Sequence, residues 1–268
     1  MRRFYTLVFL AAAIVAAGVL SAVATARAGA SDASGTTTFT TSTAPTTTTA
    51  PTTTTSTTPN PVPVVSKFPA AGQLNPNSVI VRTEPSPSAK KIKVFHYFRS
   101  DYRVQEILAI GSKTGSDGQP WYHVSVPMRP NGTYGWIPAA AAQLKPTQSQ
   151  IVVNVSRRTI DVYRRGKHVV HAIVAVGAPG METPLGHFYV AATFVPYHDP
   201  FLGVYALETS AYSKLTEWPG GGVVGIHGTS APWLLGKAVS HGCVRVSNAT
   251  AAKLKRYTPL GTPIVIKS

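Results

Sequence analysis

Apart from Cys243, the 268-residue chain has no cysteine, so it can close no disulfide within itself. In an exported chain a lone cysteine is a buried small hydrophobe, an intermolecular cross-link or a reactive thiol. Acidic residues are scarce as well: 10 Asp and Glu stand against 25 Lys and Arg, for a formal net charge of +15. Setting aside Arg2, Arg3, Arg27 and Asp32, which lie before residue 65, leaves +13 on the remainder. Such a surface is drawn to polyanions. No helix-turn-helix, ribonucleoprotein or zinc-knuckle pattern occurs, which argues against nucleic acid as the partner. There is no His-Glu-x-x-His helix, and His168 and His171 stand in the sequence without an evident ligand cluster, so neither metal nor cofactor is expected.

What is present begins with an export signal. Arg2 and Arg3 precede an uncharged stretch, Phe4 to Ala26, dominated by Leu, Val, Ile, Phe and Ala. Signal cores run to roughly 7–15 apolar residues and a spanning helix needs about 20, so residues 1–30 read as a signal peptide or an N-terminal membrane anchor. The flanking arginines place the remainder outside the cytoplasm, and the length favours retention. Small residues at Ala24, Ala26, Ala28 and Ala30 offer cleavage sites, whereas no cysteine follows to receive a lipid. Residues 31–64 are dominated by Thr, Ser, Pro and Ala with Asp32 as the only charge, a disordered linker open to glycosylation. At about 3.1 Å per residue it could reach on the order of 100 Å. That suits work within a cell wall, whose anionic polymers would match the charge; export also separates the chain from cytosolic nucleic acid.

The rest divides at Lys145-Pro146-Thr147 into segments 65–146 and 147–268. The first has short β-rich runs: Ser78 to Arg82, Tyr102 to Ile110, Trp121 to Val126 and Tyr134 to Ile137, with turn signals between them. Such spacing indicates a small barrel or sandwich. The order VIVRTEPSPSAKKI, WYHVSV, YGWIP resembles bacterial Src-homology-like domains. Trp121, Tyr122 and Trp136 then line a wall-peptide groove or are simply core. The second segment offers Ile151 to Val155, Thr159 to Tyr163 and His168 to Val176 in meander order, then strands at Gly186 to Thr193 and Val223 to His227. Ser247 or Asn248 can cap a short helix through Tyr257, which Pro259 and Gly261 stop before a strand at Thr262 to Ile266. The whole is mostly β with one helix after the cysteine.

The chemistry concentrates in His227-Gly228 and in Ser240-His241-Gly242-Cys243-Val244-Arg245. A free thiol of pKa about 8.5 is only slightly ionised at neutral pH, so acyl transfer requires a neighbouring base. His241, two residues from Cys243, and His227, brought in by the fold, are both candidates. Gly242 has no Cβ, which lets its backbone and that of Cys243 approach a substrate and aim N–H groups at a developing oxyanion. Ser240 can fix the turn through its hydroxyl. Arg245 can bind a carboxylate with its planar fork or hold the loop. The aromatics Phe194, Tyr197, Phe201, Tyr205, Tyr212 and Trp218, ahead of Pro219-Gly220-Gly221-Gly222, suggest a mobile flap that excludes water, or an ordinary packed loop.

The run IHGTSAPWLLGKAVSHGCVRVSN, preceded by ETPLGHF, resembles the L,D-transpeptidase (YkuD-like) catalytic domain over about Ile151 to Ser268. Eight positions match in order: His227, Gly228, Ser240, His241, Gly242, Cys243, Arg245 and Asn248. The resemblance implies a β sandwich behind the Src-homology-like barrel, Cys243 as nucleophile and His227 as base oriented by the Gly228 carbonyl. His241 becomes a wall of the site, with Arg245, Ser240 and Asn248 toward the substrate. It also implies cross-linking of peptidoglycan stem peptides from third residue to third residue and acylation by carbapenems; the place of Cys243 after His241-Gly242, with no other thiol in the chain, gives the expectation of a thiol more reactive than a model thiol. L,D-carboxypeptidase action and transfer to a protein share the chemistry; a non-catalytic wall-binding protein would be free to lose the thiol.

Overall fold

A computed structural model describes residues 64–197, 199–217 and 219–268. The expected export segment 1–30 and nearly all of the linker lie outside the described residues. Among those described, no helix is long and apolar enough to cross a membrane.

The first half contains β1 (Ala70–Leu74), β2 (Ser78–Arg82), β3 (Lys91–His96), β4 (Glu106–Thr114), β5 (Pro120–Ser125), β6 (Tyr134–Pro138) and β7 (Ala142–Pro146). They form one antiparallel sheet in the order β3-β2-β6-β5-β4-β1-β7. Its core gathers Val81, Phe95, Ile107, Tyr122, Val124 and Ile137. Trp121 and Tyr122 are 2% and 0% exposed, so two of the three aromatics considered for a peptide groove are core. Trp136 stacks on His123 with centroids 4.5 Å apart.

The second half contains β8 (Ser149–Asn154), β9 (Thr159–Arg164), β10 (Lys167–Ile173), β11 (Val176–Gly177), β12 (Gly186–Phe194) and β13 (Ala206–Tyr212). It continues through β14 (Val223–His227), β15 (Ala238–Ser240), β16 (Val244–Arg245), the helix α1 (Asn248–Tyr257) and β17 (Pro263–Lys267). Eight strands run β10-β9-β8-β17-β12-β13-β14-β16, with β8/β17 and β14/β16 parallel, and β11 pairs with β15 separately. Period-two alternation explains the register: Ile151 and Val153, Ile160 and Val162, Val224 and Ile226 all point into one core. Each such side chain contributes about 1.5–3 kcal/mol by leaving water. In α1, Ser247 Oγ accepts from the Thr250 N–H at 3.1 Å, and Lys255 and Arg256 sit in the last turn, where the helix dipole favours cations. Ala251 and Leu254 bury its inner face.

The two sheets meet at a small apolar contact of Leu108, Tyr189 and Ala191 with Ala71. Tyr189 donates its hydroxyl to the Glu106 carbonyl at 3.1 Å. Asn131 exchanges two hydrogen bonds with the Tyr212 backbone, at 2.7 and 3.0 Å, and Arg129 reaches the carbonyls of Ser213 and Gly221, both at 2.9 Å. Glu106 itself is 6% exposed, and desolvation pushes its carboxyl up to about 7. Because the folded value lies above the unfolded one, the folded chain keeps a proton that the unfolded chain has lost. The associated stability is full below about pH 4.5 and lost as pH rises to about 7. Glu106→Gln should therefore stabilise the protein by roughly 2–3 kcal/mol at pH 8 and far less at pH 4.5. Urea unfolding at the two pH values measures the difference.

Candidate active site

Parallel pairing of β14 with β16 builds the site. Ile226 faces Val244 and His227 faces Arg245, which sets Gly225 beside Cys243. With a side-chain period of two, Val224, Ile226, Val244 and Val246 enter the core, all at 0% exposure. The alternate positions Gly225, His227, Cys243 and Arg245 share the other face. Gly225 meets the thiol through its backbone, and a Cβ there would make only ordinary contacts. Its N–H donates to Cys243 Sγ at 3.3 Å, and a Cβ there would lie 3.8 Å from that sulfur and 3.6 Å from His227 Cδ2. Sequence reading missed Gly225, because its contribution is a backbone N–H that any non-proline residue would carry.

His227 is 2% exposed, and its Nδ1 lies 2.6 Å from the Gly228 carbonyl. A carbonyl only accepts, so Nδ1 carries the proton and Nε2 is left as the basic nitrogen. Burial, reinforced by the Arg245 charge, holds the imidazole down at about 4 against the opposing Gly228 bond and Asp199. Desolvation pushes the Cys243 thiol up, opposed by the Gly225 N–H and Arg245. The two shifts run in opposite senses, so the resting pair is neutral thiol and neutral imidazole rather than thiolate and imidazolium. From that state proton transfer must accompany attack on a bound acyl group. Iodoacetamide should alkylate native Cys243 at pH 7 more slowly than free cysteine and accelerate as pH rises past 9, which mass spectrometry of quenched samples follows.

The remaining residues of the motif form the frame. Gly242 has φ +113, and a Cβ would come within 3.0 Å of Ser213 Cβ, so an L side chain is strained there on both counts. Ser240 is wholly buried; its hydroxyl donates to the Cys243 carbonyl at 2.6 Å and accepts from the Gly242 N–H at 3.2 Å. That makes it a brace of the nucleophile turn and takes it out of reach of a substrate. Asn248 Oδ1 accepts from the Val204 and Thr229 N–H groups at 3.3 and 3.2 Å, pinning two loops instead of facing a ligand. A Cβ on Gly228 would lie 2.3 Å from that oxygen, and one on Gly203 2.2 Å from it. Gly203, unnoticed in the sequence, thus completes a close-packed corner with Gly228 and Asn248. His241 is half-buried on the nucleophile turn. Arg245 is 6% exposed, its guanidinium 4.5 Å from the Phe201 ring centroid and its Nε buried without a hydrogen-bond partner. From the ETPLGHF run, Thr183 accepts through its hydroxyl from the Gly177 N–H at 2.9 Å.

Cys243 and His227 open into a cavity of about 600 Å³. Asp199, Phe201 and Leu202 line one part and Gly220, Val223 and Gly225 another, while Arg99, Ser100 and Asp101 enter from the first sheet. Glu208 on β13 pairs with Arg99 and, at 3.5 Å, with Arg103. The first half of the chain therefore supplies part of the cleft wall, which no motif announced. The flap expectation is corrected in part: Phe194 and Tyr212 end strands of the central sheet and Tyr205 is buried in the core. Phe194 and Tyr212 nevertheless border the cavity, as do Phe201 and Gly220; Trp218 lies outside the described residues. His168 and His171, far along the sheet, gather around Asp161, which overturns the expectation that no ligand cluster surrounds them.

Residues 148–266 match the family model for the L,D-transpeptidase catalytic domain, YkuD. The YkuD protein of Bacillus licheniformis is 34% identical over 117 residues, 44% of this chain and 64% of that protein. Its Bacillus subtilis counterpart is 32% identical over 116 residues, 43% of this chain and 64% of that protein. The chain thus spans just under two thirds of the length of these curated relatives. An L,D-transpeptidase structure from Mycobacterium smegmatis superposes with a TM-score of 0.38 at 16% identity, covering 56% of this chain and 90% of that one. The comparisons thus show residues 148–266 to be similar to the L,D-transpeptidase (YkuD) catalytic domain.

Proposed function

We propose that the protein is an exported L,D-transpeptidase that joins peptidoglycan stem peptides, third residue to third residue, through a Cys243 thioester. The observation that carries this reading is the shared face of β14 and β16, which sets a partly buried thiol and a tautomer-fixed imidazole over Gly225 in one cleft. In the first half-reaction Cys243 Sγ bonds to the carbonyl carbon of the third stem residue, a diamino acid, while His227 Nε2 takes the thiol proton. The bond to the terminal D-alanine nitrogen then breaks, and His227 returns the proton to that leaving amine. In the second, a side-chain amine of another stem attacks the thioester carbonyl, gives its proton to His227 and expels the sulfur, which is reprotonated. Backbone N–H groups at the Gly242-Cys243 turn face the developing oxyanion; since the Gly242 N–H is committed to Ser240, the Cys243 N–H is the better placed donor. Arg245, with an unpartnered buried Nε, offers a charge for a stem carboxylate.

Transfer, as opposed to hydrolysis, needs room for a second peptide. A separate, smaller cavity of about 250 Å³ shares Arg99, Glu208 and Tyr212 with the cleft as wall residues and is bounded further by Lys93, Phe98 and Gln105. This supports an acceptor path between the sheets and favours transpeptidation over the L,D-carboxypeptidase alternative. Incubation with purified tetrapeptide muropeptides, followed by mass spectrometry, decides: dimers with loss of D-alanine are expected, whereas tripeptide monomers alone would mean a carboxypeptidase. Unchanged substrate would remove the enzymatic reading in favour of wall binding. A carbapenem should block the conversion by acylating Cys243.

A further inference from the structure

We propose that Asp161, His168 and His171 form a binding site for a divalent transition metal of the Zn2+ class on the outer face of the β9–β10 hairpin. Histidines three apart on a regular strand point to opposite faces. Here the pairing shifts register between His168 and Val170, a bulge that brings both imidazoles to one side while Val170 enters the core. A bulge is a known means of re-aiming a side chain. Asp161 lies directly across the ladder from His171, and Tyr163, on the same face two residues on, lies across from His168.

The three side chains converge on a single point. His168 Nε2 lies 2.8 Å and His171 Nδ1 2.7 Å from the same oxygen, Asp161 Oδ1, and the three ligand atoms all fall within 4.8 Å of one another. Among the described residues no other group of three such side chains does this. Tetrahedral zinc with bonds of about 2.0–2.1 Å would space its ligand atoms by roughly 3.3–3.5 Å. The two short contacts need widen by less than an ångström, an adjustment open to partly and largely exposed side chains. A cation would take the place of the two imidazole protons that now point at Oδ1, leaving neutral rings and a carboxylate as ligands. Two nitrogens and one oxygen suit Zn2+, Co2+, Ni2+ or Cu2+ over Mg2+ or Ca2+, which require several oxygens. None of the three residues lines the cavity that holds Cys243, so the site is independent of the acyl-transfer reading.

The test is calorimetric titration of the full-length, untagged chain with ZnCl2 after Cys243 is alkylated, which prevents the thiol and His227 from competing. One ion per chain is expected. Loss of a ligand in His168→Ala, His171→Ala or Asp161→Asn should weaken uptake at least as much as loss of a supporting partner does at other sites, about 10–100-fold. In the native chain, the imidazole proton resonances of His168 and His171 should move on adding Zn2+, a readout that needs no variant. The proposal is overturned if the alkylated chain takes up no Zn2+ below millimolar concentration, if the His168→Ala/His171→Ala double variant binds as tightly as native, or if those resonances stay unmoved at saturation.

Discussion

Cys243→Ser should leave a folded protein that neither forms an acyl adduct nor releases D-alanine from a tetrapeptide stem. The hydroxyl is close to isosteric with the thiol, and the hydrogen bonds that hold the turn, from Ser240 Oγ to the Cys243 carbonyl and from Gly242 N–H to Ser240, do not involve the sulfur. The fold should therefore survive; the chemistry should not. A serine hydroxyl is far less acidic than a thiol, and an imidazole held at about 4 is too weak a base to compensate. Reversed-phase separation of the products, with circular dichroism to confirm the fold, checks both halves. Residual turnover within tenfold of native would move the nucleophile elsewhere.

His227→Ala should lower the rate of acylation by about 10²–10⁴-fold, the usual worth of general-base assistance. The mechanism also fixes how the loss depends on pH. Native acylation should hold steady above the imidazole value of about 4 and fall below it, as His227 becomes charged and can no longer accept the thiol proton. The alanine variant should lack that acid limb and instead climb with alkali, as the raised thiol ionises on its own. His241→Ala should affect the rate far less, with a change in substrate affinity or stability instead. If the two variants exchange these behaviours, the base is His241. Stopped-flow acylation by a carbapenem across the pH range separates the cases.

Motif and pattern made some parts of this protein legible, and physical context hid others. The strands Ser78–Arg82 and Val223–His227 and the helix to Tyr257 were readable because apolar periodicity, a cap and a proline stop agree there. β13 was not, although it lies between β12 and β14 in the central sheet. Its Thr209 and Ser210 are buried, which breaks the expected alternation, and they are tolerated because Thr209 donates to the Val224 carbonyl at 2.7 Å and Ser210 accepts from the Tyr189 N–H at 3.1 Å. β16 has only two residues, too few for any pattern to register. Within the site, Cys243, His227 and Gly242, the proposed nucleophile, base and turn glycine, were visible as residue types at known spacings. Gly225, Gly203 and the Arg99–Glu208 pair were not, since each acts through a neighbour distant in sequence. Asn248 was read as facing the substrate and turns inward to the backbone; of the two readings of Ser240, a brace of the turn and a substrate contact, the structure shows the brace. The bulge that unites His168 and His171 is equally silent in sequence, because it belongs to the pairing of two strands and not to either one.

The central claim is a covalent acyl-enzyme on Cys243, and intact-mass measurement of the native chain mixed with a tetrapeptide stem tests it most directly. At early times the protein should gain the mass of the stem cut after its third residue, free D-alanine should appear in equal amount, and proteolytic mapping should place the adduct on the peptide carrying Cys243. Conversion of the stem with no adduct at any time, or an adduct mapped to another residue, would contradict the account.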